Sequence, residues 1–139
     1  MLVSLATRGQ EKTEYTLCIK AWNQIGNIGT QLDTAILIVE NMKTKVELKG
    51  DTDSIVFGIH FKLEKAVYEV TCIKSGYDTT RVIIDLTKKP GQFVNDKDLK
   101  KCQFDANIYD KMSYTLFMYL NRTGVKSKSG VRIVPHKEN

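Results

Sequence analysis

Proline is scarce in this chain, with only Pro90 and Pro135 among 139 residues. That excludes proline-rich linkers and polyproline recognition segments. Tryptophan occurs once, as Trp22, and the two histidines, His60 and His136, stand in no partner spacing. The three cysteines, Cys18, Cys72 and Cys102, lie far apart and outside any metal-ligand pattern. There is no glycine-rich phosphate loop and no Gly-x-Ser-x-Gly elbow. The sequence therefore carries no enzyme signature and calls for no cofactor and no metal. No apolar run approaches the ~20 residues that span a bilayer. The longest candidate, in "TAILIVENM", breaks at Glu40. The opening "MLVSLATRGQ" lacks a charged n-region and a long enough apolar stretch for a signal peptide. Any membrane attachment is expected to come through regions outside this chain.

What is present has the balance of a globular protein, 42% hydrophobic and 27% charged, with enough length for one full domain and its core. Net charge is +5 and the pI is near 9.1. The basic residues are spread out, with two loose clusters, "KDLKK" at 97–101 and "VKSKSGVR" at 125–132. Neither forms the dense stripe with interleaved aromatics that marks nucleic-acid binders. Both read as solvated surface, and no nucleic-acid partner is expected.

The dominant period is two. "SIVFGIHF" places Ile55, Phe57, Ile59 and Phe61 on one face, and "VYEVTCIK" places Tyr68, Val70 and Cys72 on one face. "TRVIIDL" aligns Val82, Ile84 and Leu86, and "CQFDANI" aligns Cys102, Phe104, Ala106 and Ile108. "YTLFMYL" aligns Tyr114, Leu116, Met118 and Leu120, and the shorter runs "TKVEL" and "GVRIV" flank the set. Such alternation predicts half-buried strands, and the turn signals "KGDTD", "KSGYD", "KKPGQ" and "RTG" separate them. Seven strands over 43–134 have the spacing of a β-sandwich. Ahead of them, "YTLCIKA" and "LDTAILIV" read as two more, joined by "WNQIGNIGTQ".

One phrase occurs twice. "EYTLCIKAWNQIGN" and "SYTLFMYLNRTG" both open on Tyr-Thr-Leu, and Tyr15 and Tyr114 stand 99 residues apart (114 − 15), about one sandwich domain. The first copy resembles the penultimate strand of fibronectin type III domains, Tyr-x-Val-x-Val-x-Ala-x-Asn-x-x-Gly, through Tyr15, Leu17, Ile19, Ala21, Asn23 and Gly26. The second copy is looser, since Asn121 and Gly124 arrive early. Ile108 lies six residues before Tyr114, and Tyr68 with Val70 matches the family's third strand. The family's second-strand tryptophan is replaced, at Ile59 on this alignment, and prolines near the domain start are missing. The resemblance implies an all-β fold, a seven-stranded antiparallel β-sandwich over 40–139. Residues 1–39 then form the last two strands of a truncated preceding repeat. Asn23 and Gly26 are expected to supply a turn, and the Tyr114 hydroxyl to reach the backbone at the sandwich corner.

The candidate sites are few. Asn121 opens the sequon "NRT" on the last hairpin loop, with an ordinary turn as the plainer reading. Lys49, Gly50 and Asp51 form "KGD", similar to short integrin-binding tripeptides, although a tight turn explains Gly50 and Asp51. Cys72 and Cys102 have inward parity, giving buried thiols or, in an oxidising compartment, a disulfide. Cys18 has outward parity and is expected to be exposed unless a neighbour covers it. Trp22, Phe117 and Tyr119 also point outward, as strand formers among covering side chains or as an aromatic patch for a partner.

The resemblance implies a non-catalytic protein-binding or adhesion module, a fragment of a multi-domain cell-surface receptor, adhesion or matrix protein, located outside the cell or at its surface. Its partners are then cell-surface or matrix proteins. The alternatives are an intracellular structural array of tandem sandwiches and the non-catalytic ectodomain of a receptor phosphatase.

Overall fold

The structure, a computed structural model, describes residues 14–23, 30–32, 34–51, 59–99, 112–125 and 130–135. Nine strands lie among them: β1 (Glu14–Asn23), β2 (Thr30–Leu32), β3 (Ile36–Asn41), β4 (Glu47–Asp51), β5 (Ile59–Glu64), β6 (Val67–Ile73), β7 (Thr80–Asp85), β8 (Ser113–Leu120) and β9 (Gly130–Pro135). The alternating runs at 67–74, 80–86 and 114–120 each select a strand and its buried face. Tyr68, Val70 and Cys72 point inward, as do Val82 and Ile84, and Tyr114, Leu116, Met118 and Leu120. The turns expected at 74–78 and 122–124 form around Gly76 (φ +86) and Gly124 (φ +89), backbone angles that side chains beyond glycine rarely tolerate. The expected strand at 102–108, with Cys102 and Ile108, lies outside the described residues, as do Ile55 and Phe57.

The strands form two sheets. One has the order β2-β1-β8-β9, with β5 beside the first half of β1; the other has the order β4-β3-β6-β7. Inward residues of both, among them Ile19, Leu37, Val70, Ile84, Leu116 and Ile133, join in one hydrophobic core. The all-β, sandwich-like architecture thus stands. Its antiparallel character needs a correction: six strand pairings are antiparallel, but β1 and β8 run parallel in register from Thr16↔Ser113 to Asn23↔Leu120.

The expected division between 1–39 and 40–139 also needs correcting. Position 39/40 falls inside β3, where Val39 pairs with Leu48 on one side and Val70 on the other. β1 lies between β8 and β5, and Tyr15, Leu17, Ile19 and Ala21 contribute to the same core as Tyr114 and Leu116. The two early strands are not a lone pair: β1 belongs to one sheet and β3 to the other. The repeated Tyr-Thr-Leu phrase marks two neighbouring strands within one core. β3 continues instead into a hairpin with β4, turned by Asn41, whose Oδ1 accepts hydrogen bonds from the Lys43 and Thr44 backbone N–H groups at 3.0 and 3.1 Å.

An aromatic trio ties distant parts of the chain together. Phe93, just after a 3₁₀ turn at Pro90–Gln92, meets Tyr15 edge-on at 5.2 Å and Tyr114 edge-on at 5.4 Å between ring centroids. Tyr15 and Tyr114 are 6.0 Å apart. Such pairs contribute about 0.5–1.5 kcal/mol each beyond the area they bury.

Candidate functional site

Most of the residues singled out in the sequence are structural. Tyr15, Leu17, Ile19, Ala21, Tyr68, Val70 and Tyr114 are core residues. Tyr68 also donates its hydroxyl hydrogen to the Glu64 carbonyl at 2.9 Å, a link across the β5–β6 turn. Asn23 does not form the expected turn: it ends β1 with a buried side chain, and its Oδ1 has no hydrogen-bond partner among the described residues. Gly26 and Ile108 lie outside the described residues. Lys49, Gly50 and Asp51 are not a tight turn either. They lie in β4, paired with Ile38, Leu37 and Ile36, so the tripeptide is extended backbone. Asn121 is only 6% exposed, and its carbonyl accepts the Asp78 N–H at 2.8 Å.

The outer face of the larger sheet gathers residues that the sequence keeps apart. Register places Lys62, Thr16 and Ser113 in one row across β5, β1 and β8. His60, Cys18, Thr115 and Val134 form the next, then Lys20, Phe117 and Arg132, and then Trp22 beside Tyr119. Trp22 meets Phe117 edge-on at 5.7 Å and Tyr119 at 6.4 Å, and the Arg132 guanidinium lies 4.7 Å over the Phe117 ring. The Arg132 contact is a cation–π pairing across β8 and β9. Trp22, Phe117, Tyr119, Lys20 and Arg132 are half-buried, while Lys62 and His60 are exposed. The indole Nε1 of Trp22 and the Nε of Arg132 are shielded from solvent and have no acceptor among the described residues. Between the Glu14–Glu64 pair at one end and Trp22 at the other, no carboxylate occurs in these rows among the described residues.

Cys18 has the expected outward parity but is 1% exposed, which corrects the exposed-thiol expectation. It is a small side chain on an inner strand among larger neighbours. Thr71, on the outer face of the opposite sheet, is only 8% exposed for the same reason. Burial raises the Cys18 thiol pKa, with Lys20 pulling the other way, so Cys18 is not an activated nucleophile. Cys72 is a free, buried thiol, pushed by desolvation from an ordinary 9.0 up to about 12. An unfolded chain loses that proton first. The contribution is therefore complete below pH ~9 and is lost as pH rises toward the folded value. The unfolding free energy from urea titrations is expected to fall steadily above pH ~9, by up to about 1.4 kcal/mol per pH unit for one fully linked thiol. A Cys72→Ala variant is expected to show a flatter profile; an unchanged slope counts against the assignment.

Among the described residues, no group of three or more His, Cys, Asp or Glu is placed to hold a metal ion. Also among them, no helix is long and apolar enough to cross a membrane. Sequence reasoning gave Trp22, Phe117, Tyr119 and Lys20 outward parity but missed Lys62 and Arg132 as their companions, because only strand pairing unites them. No protein-family model, curated protein or solved structure matches the chain.

Proposed function

We propose that this chain is a non-catalytic protein-binding module, and that it binds through the outer face of its larger sheet. The observation that carries the reading is the half-exposed cluster of Trp22, Phe117 and Tyr119 with Arg132 over the Phe117 ring. Aromatic residues and arginine are the side chains most often found at the energetic centre of protein interfaces. A kinship with fibronectin type III domains, and a place in a cell-surface, adhesion or matrix protein, are part of the proposal. They rest on the Tyr-Thr-Leu strand pattern and the sandwich-like architecture. The parallel β1–β8 pairing departs from the antiparallel arrangement that this kinship implies. An intracellular structural array is the second reading, favoured by the free Cys72 thiol, because disulfides rather than thiols characterise small secreted domains.

The test compares proteins captured from cell extract and from conditioned medium by the wild type, by Trp22→Ala and by Ile83→Ala. Ile83 lies on the outer face of the opposite sheet. Proteins retained by the wild type and Ile83→Ala but lost with Trp22→Ala are the expected result. Identical retention by all three, with the variants shown to be folded by urea melts, overturns the reading. Enrichment confined to one source decides between the two locations.

A further inference from the structure

We infer that the partner presents an extended, acidic peptide segment to the outer face of the larger sheet, an inference that rests on the binding role proposed above. The face offers Lys62, Lys20 and Arg132, with the His60 imidazole between them in register, and no opposing carboxylate among the described residues of those rows. Rows on one face of a sheet recur every second residue, about 6.5–7 Å apart. An extended peptide presents alternate side chains at that same repeat, so carboxylates four residues apart fall over the Lys62 row and the Lys20–Arg132 row, with the carboxylate between them over the His60 row.

Single-stranded nucleic acid would use the same cations, but it also needs flat, open ring faces for its bases. The Phe117 ring at the centre of the cluster does not offer one. Arg132 covers the Phe117 ring, and Trp22 meets that ring edge-on, at an interplanar angle of 78°. The rings pack against one another and frame the cations, an arrangement suited to carboxylates rather than stacked bases.

The full chain is titrated at low salt with a peptide of alternating Glu and Ser, about ten residues long at ~3.4 Å per residue. Its Gln–Ser counterpart and an oligothymidylate of equal charge are the comparisons. Trp22 is the only tryptophan, and its emission reports occupancy of the face directly. The expected result is saturable binding of the Glu–Ser peptide, none of the Gln–Ser peptide, and at least a tenfold loss in Lys20→Gln/Arg132→Gln. Lys49→Gln/Arg81→Gln on the opposite sheet is expected to bind as the wild type does, and urea melts confirm that both variants fold. The inference is overturned if the oligothymidylate binds more tightly than the peptide, if neither variant changes binding, or if sedimentation shows that the face is occupied by a second copy of the chain. It also falls if the peptide fails to bind. Trp22-dependent capture then decides the other question: if capture persists, the binding role stands with a different partner chemistry, and if it is lost, both fall together.

Discussion

A chain beginning at Glu40 is expected not to fold. The deletion removes β1, β2 and most of β3, leaving β5 and β8 without the strand that both pair with. It also takes Tyr15, Leu17, Ile19, Ala21, Leu37 and Val39 out of the core. Fully burying one large apolar side chain stabilises a fold by about 1.5–3 kcal/mol, and a whole domain retains only about 5–15 kcal/mol of net stability. Losing that many core residues, together with two ladders, exceeds the total. Far-UV circular dichroism and urea titration of residues 40–139 are expected to show no cooperative transition, against a single transition for the full chain. A sigmoidal melt with the full chain's midpoint would restore the two-repeat reading and displace β1 from the core.

Replacing Tyr114 by alanine is expected to cost about 3–5 kcal/mol, the range for large aromatic truncations in cores. Tyr114 is among the largest fully buried side chains, and its ring packs against both Phe93 and Tyr15. The alanine variant therefore leaves a void at the point where β1, β8 and the segment after β7 meet. Tyr114→Phe keeps the ring and is expected to cost no more than about 1 kcal/mol. Coincident urea melts for wild type and Tyr114→Ala would mean that the ring does not bridge these elements.

Among the described residues, alternation alone located most strands and many of their inward side chains. Tyr15 through Ala21 and Tyr114 through Leu120 occupy the core in the parity their spacing demands. What alternation does not contain is the identity or direction of the neighbouring strand. β1 and β8 look alike because they are adjacent inner strands facing one core, and like surroundings select like residues. Their separation happens to equal a domain length, and that coincidence suggested tandem repeats. The β3–β4 turn did have a local signal, since Asn41 caps the backbone two and three residues on, within "ENMKT". Gly50 and Asp51 carried the opposite message, turn chemistry inside a strand. The cationic-aromatic face was illegible for a simpler reason. Lys20, Lys62, Phe117 and Arg132 make no run in the sequence, and only the pairing of β1 with β5 and β8, and of β8 with β9, brings them together.

The parallel pairing of β1 with β8 also sets the order of events as the polypeptide is made. Its first registered pair, Thr16 and Ser113, is separated by 97 residues (113 − 16). At about 5–20 residues per second on the ribosome, β1 emerges roughly 5–20 s before its parallel partner. During that interval the hairpins β3–β4 and β6–β7 are free to form from nearby residues, while Leu17, Ile19 and Ala21 wait for the second wall of their core. Contacts so distant along the chain make folding slow, and an apolar strand with a waiting edge is a target for chaperones and for aggregation. Yield from rapid overexpression is therefore expected to depend on how long β1 is held apart from other chains before β8 arrives.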